Sequence, residues 1–428
     1  MQRSGERALW QRHLAEVAIN VDAKRPAGRK WFQAAIEFFG LKRSIVVLLV
    51  MVILVGMGER MAERFLPIYI LALGGATLAV GVLNGMDNLL SALYSFPGGY
   101  LSDRLGSKKA LILFNLIAMF GFVIVILFPF WQAVLVGAVF FLSWTAISLP
   151  ATMGMVSAVL ARNKRTMGVS MHSLVRRIPM ALGPILGGLM ITLFGEKDGV
   201  RLAFVVALIL AAVALVLQQL FIQEPPRQKV HAEASPFRML ALMSPSLRNL
   251  LVSDILVRFC EQIPYAFVVI WAMHLHDVTA LQFGILTAIE MVTAMLVYIP
   301  VAYLADRGRK KPFVLITFGF FTLFPLALLF SRSFWLMAVA FVIRGLKEFG
   351  EPTRKALIMD LAPEDKKAGM FGAYYLVRDI VVSAAAFGGA LLWNISPATN
   401  LLTAFGFGLL GSLWFALFGQ DLSEVEAT

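Results

Sequence analysis

One cysteine, five histidines and a charged fraction of only 15% are the scarcities that first constrain this 428-residue chain. A lone Cys260 cannot close an intrachain disulfide or build a thiolate metal cluster. The histidines are scattered. Their one close pair, in "HLHD" at 274–277, falls in a short connection and reads as a solvated turn, so no metal site is expected. A phosphate-binding glycine loop is missing, which argues against ATP-driven pumping, and without a concentrated catalytic set no enzyme and no cofactor are expected.

Apolar residues fill the space instead, at 59% of the chain. Runs long enough to cross a ~30 Å hydrocarbon core as helix recur from Ile45 onward. Twelve spans are predicted, near 44–73, 76–101, 110–129, 131–160, 167–194, 201–222, 248–273, 281–305, 312–331, 334–361, 368–394 and 399–419. The fold class is therefore an all-α polytopic membrane protein, with the lipid bilayer as its surroundings. The first 43 residues are polar, so the first span reads as an uncleaved anchor rather than a signal peptide.

The net charge of +12 is not a nucleic-acid footprint, because its basic residues sit in alternate loops. Segments 1–43, 102–109, 161–166, 223–248, 306–311 and 354–367 hold 27 Lys and Arg, whereas the opposite loops hold only Lys197, Arg201 and Arg332. That asymmetry predicts a multi-pass protein of the cytoplasmic (inner) membrane with both termini in the cytoplasm. A Pro- and charge-rich stretch divides the spans six and six. The expected units are a cytoplasmic segment 1–43, with an interfacial helix at 29–43, bundles 44–222 and 248–419, a linker 223–247 and a tail 420–428.

The halves repeat each other. At an offset of 203, Gly81, Leu83, Asp87, Pro97, Tyr100, Asp103 and Arg104 fall on Gly284, Leu286, Glu290, Pro300, Tyr303, Asp306 and Arg307. "RMAE" at 60–63 answers "RFCE" at 258–261, and "LVRR" at 174–177 answers "LVRD" at 376–379. Two parallel six-span halves are the arrangement of a carrier with a central site at their interface.

"GGYLSDRLGSKK", 98–109, and "VAYLADRGRKK", 301–311, resemble the signature loop of the major facilitator superfamily and its weaker echo. The resemblance implies two pseudo-symmetric six-helix bundles, and a conformational latch at Gly99, Asp103 and Arg104 and at Asp306 and Arg307. "ALGPILGG", 181–188, resembles the core of the span-five motif of antiporters in this superfamily, which implies a kink and close helix contact at Gly183, Pro184, Gly187 and Gly188. Upstream glycines of that motif are replaced by Ser170 and Pro179, and span four, 140–160, has no charge where the family carries a buried Arg. "GERMAERF" is similar, with spacing altered by one, to the span-one pattern of proton-coupled peptide transporters.

Charges inside the spans carry the functional expectation. Eight bases (Arg60, Arg64, Arg176, Arg177, Arg258, Arg344, Lys347, Arg378) face nine acids (Glu59, Glu63, Asp87, Asp254, Glu261, Glu290, Glu348, Glu351, Asp379). Each costs on the order of 2.5–3.5 kcal/mol at a helix centre, so they must face protein or water. Glu59, Arg60, Glu63 and Arg64 are expected to form one cavity-facing stripe, with Pro67 bending the helix just beyond. Proton-coupling candidates are Glu59, Glu63, Asp87, Glu261 and Glu290; Arg60, Arg64, Arg176, Arg177, Arg258, Arg344, Glu348, Arg378 and Asp379 are candidates for substrate binding or gating. Trp144, Tyr265, Trp271, Tyr374 and Tyr375 are candidate cavity aromatics.

The expected function is a monomeric secondary transporter that moves a small organic solute by alternating access, powered by a proton gradient, with export or exchange favoured. Proton-coupled uptake, including of peptide-like solutes, and a transporter-like sensor without transport are the alternatives.

Overall fold

The computed structural model describes residues 43–142, 144, 148, 175–221, 241–305, 309–363 and 367–421, with backbone alone at 43–45, 95–100, 102–103, 107, 298–299, 301–305 and 367–369. Regular structure among these residues is entirely helical. Span 1 is α1 (Arg43–Glu63) continued by α2 (Leu66–Ala72); span 2 is α3 (Thr77–Leu105) and span 3 is α4 (Ser107–Leu127). Span 4 opens with α5 (Trp131–Phe141), and spans 5 and 6 share α6 (Arg177–Phe221), which turns at Gly195. Span 7 is α7 (Pro245–Gln262), a 3₁₀ turn (Tyr265–Phe267) and α8 (Val268–Leu275); spans 8 and 9 are α9 (Ala280–Ala305) and α10 (Lys311–Phe330). Span 10 is α11 (Phe334–Leu346) with α12 (Glu351–Asp360), and α13 (Lys367–Ile395) and α14 (Pro397–Phe418) are spans 11 and 12.

Among the described residues seven helical stretches are long and apolar enough to cross a membrane, and one of these, Arg177–Phe221, contains two spans. The remaining spans are broken or rich in charge. Spans 1, 7 and 10 each break next to a proline. Pro67 has no N–H for the Glu63 carbonyl, Pro264 none for Cys260 and Pro352 none for Glu348, and the helices are interrupted at residues 64–65, 263–264 and 347–350. Starts are as local. Ser244 and Ser396 precede prolines at the first helical turn, and their hydroxyls accept from Leu247 N–H (3.3 Å) and Thr399 N–H (2.9 Å). Lipid replaces water as the outer solvent: Leu417, Trp335, Ile395 and Leu296 are all at least 70% exposed without a soluble partner surface.

The repeat predicts that contacts between the halves come in equivalent pairs, and they do. Span 2 packs on span 11, and its counterpart span 8 packs on span 5, the counterpart of span 11. The repeat-related Gly81 and Gly284 sit in these two contacts. A Cβ on Gly81 would come within 2.5 Å of Ala390 Cβ, and one on Gly284 within 2.4 Å of the Pro184 carbonyl oxygen. The 181–188 motif is a wedge between three spans: Gly183 and Gly187 abut Arg60 and Met61 of span 1, while Gly188 abuts Ala280 of span 8. At Gly187 a Cβ would lie 2.0 Å from Met61 O.

The contacts of Gly81, Gly188 and Gly284 lie toward the end of the molecule where Lys197, Arg201 and Arg332 are found, the basic-poor end, and that of Gly183 with Arg60 lies near mid-depth. There the halves are also joined by His274 Nε2 and Glu196 Oε1 at 3.0 Å and by the Leu281 N–H donating to Thr192 (3.3 Å). The latch residues Gly99, Asp103 and Arg104 lie at the opposite end of α3, with Arg104 exposed; Asp306 and Arg307, and the segments 1–42 and 223–240, fall outside the described residues. Gly284→Ala should cost about 1–3 kcal/mol and lower the thermal midpoint in detergent, because the obstructing atom is backbone. Gly406→Ala, where nothing stands within 4 Å of a new Cβ, should leave it unchanged or raise it.

Candidate functional site

The breaks in spans 1 and 7 face one another across the interface, and the space they leave is the central cavity, about 490 Å³. Its polar wall is Glu63 and Arg64 from span 1, Asn84 and Asp87 from span 2, Tyr265 from span 7 and Arg344 from span 10. Leu66, Leu83, Leu142, Val268, Val269 and Phe283 supply the apolar wall. Arg64, Asp87, Tyr265 and Arg344 each lie eight to ten residues from the basic-poor end of their span. At 1.5 Å per residue that is about 12–15 Å, half of a ~30 Å hydrocarbon core, so the cavity sits at mid-membrane. Two guanidinium groups, one from each half, stand over one ring: Arg64 Cζ is 5.0 Å and Arg344 Cζ 5.5 Å from the Tyr265 centroid.

From Arg344 a ladder of alternating charge runs through the C-terminal half toward the basic-rich end. Arg344 Nε meets Glu290 at 3.3 Å, and Glu290 meets Lys347 Nζ at 3.3 Å. Lys347 binds Glu261 at 2.7 Å, Glu261 binds Arg258 at 2.6 Å, and Arg258 reaches Glu351 at 3.3 Å. Glu351 binds Arg354 at 2.7 Å, Arg354 pairs closely with Asp254, Asp254 meets Arg378 at 3.5 Å, and Arg378 binds Asp379 at 2.6 Å. Tyr374 donates to Asp254 Oδ2 (3.0 Å) and Arg354 donates to the Tyr375 hydroxyl (3.2 Å). Five acids and five bases from spans 7, 8, 10 and 11 thus cancel without a residue left over. Ion pairs of this kind offset the desolvation of their members rather than adding net stability, but removing one member strands another.

The N-terminal half repeats the start of this ladder and then stops. Arg60 binds Glu63 at 2.6 Å, the same i,i+3 pair that Arg258 makes with Glu261. Beyond that the twins diverge. Glu290 has Arg344 and Lys347 from span 10, whereas its counterpart Asp87 would look to span 4, whose sequence 140–160 has no charge. Arg64 has as its counterpart Gln262, a neutral residue that accepts from Asn88 (3.1 Å). Among the described residues neither Arg64 nor Asp87 makes a side-chain ion pair or hydrogen bond, and both line the central cavity.

Several expectations change on this geometry. The predicted single stripe divides: Glu63 and Arg64 line the central cavity, but Glu59 and Arg60 line a smaller one of about 250 Å³ with Trp144, Arg176 and Pro179. The cause is depth, since Glu59 lies a full turn nearer the basic-rich end. Arg354, counted in the sequence among the loop bases, is 1% exposed and is one of the largest fully buried side chains among the described residues. With it nine bases stand against nine acids inside the spans, apart from Lys355 and Asp360 toward the basic-rich end of span 10. Its signal was present: Arg354 follows Glu351 by three residues on one helical face. Asp254, Lys347 and Glu351, named among the buried charges but not as site candidates, prove to be rungs of the ladder. Arg177 reaches across the halves to Glu348 at 3.1 Å. Of the aromatic candidates, Tyr265 lines the central cavity, Trp144 the smaller one, Tyr374 and Tyr375 brace the ladder, and Trp271 packs on His276.

This architecture has known counterparts. The sequence profile described as Major Facilitator Superfamily matches residues 48–260 and again 250–427, and the chain belongs to that superfamily. A curated relative, an uncharacterized MFS-type transporter of Methanocaldococcus jannaschii, is 22% identical over 357 residues, covering 81% of this chain and 87% of the relative. Among solved structures, a POT family transporter in complex with 5-aminolevulinic acid superposes with a TM-score of 0.74 at 14% identity, covering 89% of this chain and 97% of that one. A point mutant of the nucleoside transporter NupG does so with 0.73 at 13%, covering 88% and 100%. A bacterial homolog of the human lysosomal transporter Spinster, inward-facing and unoccupied, gives 0.67 at 14%, covering 88% and 98%. At these identities the likeness is one of fold.

The two arginine environments predict opposite mutational costs. Arg354→Gln strands Asp254 and Glu351 and should cost about 3–5 kcal/mol in detergent unfolding. Arg64→Gln strands no acid and should cost about 1 kcal/mol or less.

Proposed function

We propose that this chain is a secondary active transporter that carries a small organic solute through the central cavity by alternating access, with Asp87 as the proton-coupling carboxyl. Membership of the superfamily supplies the coarse function, solute transport across a membrane. The observation that carries the finer reading is the isolation of Asp87. Of the five coupling candidates, Glu63 is held by Arg60, Glu261 by Arg258 and Lys347, and Glu290 by Arg344 and Lys347. Glu59 lies outside the central cavity.

With no ion pair among the described residues, Asp87 is the acid of the cavity whose protonation answers most directly to a charge that enters beside it. Around Asp87 stand Glu63 and Arg64 of span 1, Tyr265 of span 7 and Arg344 of span 10, with Glu59 and Arg60 one turn deeper. Among the described residues spans 8 and 11 bring no further free charge to it, since Glu290, Arg378 and Asp379 are engaged in the ladder. Proton and solute therefore meet in one space, which is what coupling requires. The halves are in contact at the basic-poor end, and the basic-rich end is the one we read as cytoplasmic from the charge asymmetry.

Cotransport of proton and solute is the reading these residues favour. Exchange, with export of the solute, is the second, on the resemblance of 181–188 to the antiporter motif. They differ in sign. In proteoliposomes with entrapped pH dye, an inward solute gradient acidifies the lumen under cotransport and alkalinises it under exchange. Asp87→Asn should abolish either response while solute counterflow persists. Solute flux that leaves lumenal pH untouched in the unmodified protein would remove proton coupling and leave transport standing.

A further inference from the structure

The substrate class can be taken further, and this step rests on the transport reading above. We propose that the central cavity takes an amphipathic organic monoanion, its anionic group between Arg64 and Arg344, loaded together with one proton on Asp87.

Three features of the cavity point to an anion. The first is that cationic groups from both halves converge on it while their acids do not keep pace. Among the described residues Arg64 has no acid, and Arg344 touches Glu290 only through Nε at 3.3 Å, an acid it shares with Lys347 at the same distance. The Nη groups of Arg344 make no hydrogen bond among the described residues, so both guanidinium groups keep donors for a carboxylate or sulfonate.

Second, the one carboxylate of the wall without an ion pair among the described residues is Asp87, which the proton takes in this reading, and the aromatic face is taken as well. An ammonium group in an apolar cavity is held by aromatic faces and carboxylates. The Tyr265 face is already under two guanidinium groups, at 5.0 and 5.5 Å, and a third positive charge there meets repulsion from both.

Third, the rest of the wall is hydrocarbon, lined by Leu66, Leu83, Leu142, Val268, Val269 and Phe283. A fully hydrated inorganic anion gains nothing from such a wall, while an anion with an apolar body does.

Charge balance then sets the stoichiometry. The span interior holds nine bases and nine acids, so it is neutral when empty. One bound monoanion makes it negative by one charge in a medium where that is costly, unless a carboxylate is protonated. Asp87 is the carboxylate in the same cavity with no ion pair among the described residues, so it takes the proton. An anion that bridges Arg64 and Arg344 also links the two halves, which couples occupancy to their relative motion.

Purified full-length protein in detergent, in weak buffer with a pH indicator, tests this against 3-phenylpropionate, 3-phenylpropanesulfonate, 3-phenylpropylamine and phenylalanine at up to millimolar concentration. The two anions should raise the thermal midpoint and draw in one proton per molecule bound, while the amine and the zwitterion should do neither. Arg64→Gln should weaken anion binding by about tenfold or more, with partial recovery in Arg64→Lys. Asp87→Asn should bind the anion without proton uptake. Stabilisation by the amine or zwitterion in place of the anions, no stabilisation by either anion, or proton uptake that survives in Asp87→Asn overturns the proposal. Anion binding with proton uptake in a protein that moves no solute in liposomes would instead overturn the transport reading and leave the site assignment intact.

Discussion

A charge placed in hydrocarbon must find its opposite, and the architecture of this protein follows from how that requirement is met differently in its two halves. In the C-terminal half it is met by ion pairing among the described residues. Ten side chains from spans 7, 8, 10 and 11 alternate in sign from Arg344 at mid-membrane through Arg354 and Asp254, nearer the basic-rich end, to Arg378 and Asp379, and every one of them has a partner. Such a ladder ties four helices together, and its rigidity is electrostatic as well as steric. In the N-terminal half the same start, the Arg60–Glu63 pair, is not continued, because span 4 supplies no charge. Arg64 and Asp87 are left facing a common cavity. The ladder thus braces the C-terminal half, and the two cavity charges without an ion pair among the described residues belong to the N-terminal half.

Helix breaks put those groups where they are needed. Pro67, Pro264 and Pro352 remove backbone hydrogen bonds within spans 1, 7 and 10, and Arg64, Tyr265 and Lys347 sit in or beside the gaps. A broken helix at mid-depth is tolerated only where protein or cavity surrounds it, which is the position of all three. Glycines do the complementary work at the interface. Gly81 and Gly284, related by the internal repeat, let span 2 approach span 11 and span 8 approach span 5 at backbone distance.

Much of this was legible in the sequence. The spans, the parallel repeat and the Arg60–Glu63 and Arg258–Glu261 pairs follow from apolar length, offset and helical spacing alone. Two things were not legible, for physical reasons. Arg354 stands just before Lys355 near the end of span 10, and adjacent bases at a span terminus read as topology signals; only the tertiary contact with Asp254 shows that one of them turns inward. The four charges of "GERMAERF" lie on one stripe, yet a stripe that crosses a full helical turn in depth can serve two cavities, and helical angle carries no information on depth. The isolation of Asp87 lies between these cases. It could be inferred from the chargeless span 4, but only once span 10 was seen to supply the bases that hold Glu290.

The central claim is that solute binding changes the protonation of Asp87 alone while the ladder of the C-terminal half stays closed. A solute-induced infrared difference spectrum in the carboxyl region tests it directly, with an amphipathic sulfonate as probe so that no ligand carboxyl interferes. The account predicts one protonated-carboxyl band that appears on binding and is absent in Asp87→Asn. A band that persists in Asp87→Asn and disappears instead in Glu261→Gln, Glu290→Gln or Asp254→Asn would contradict it, because the ladder would then be the part that opens.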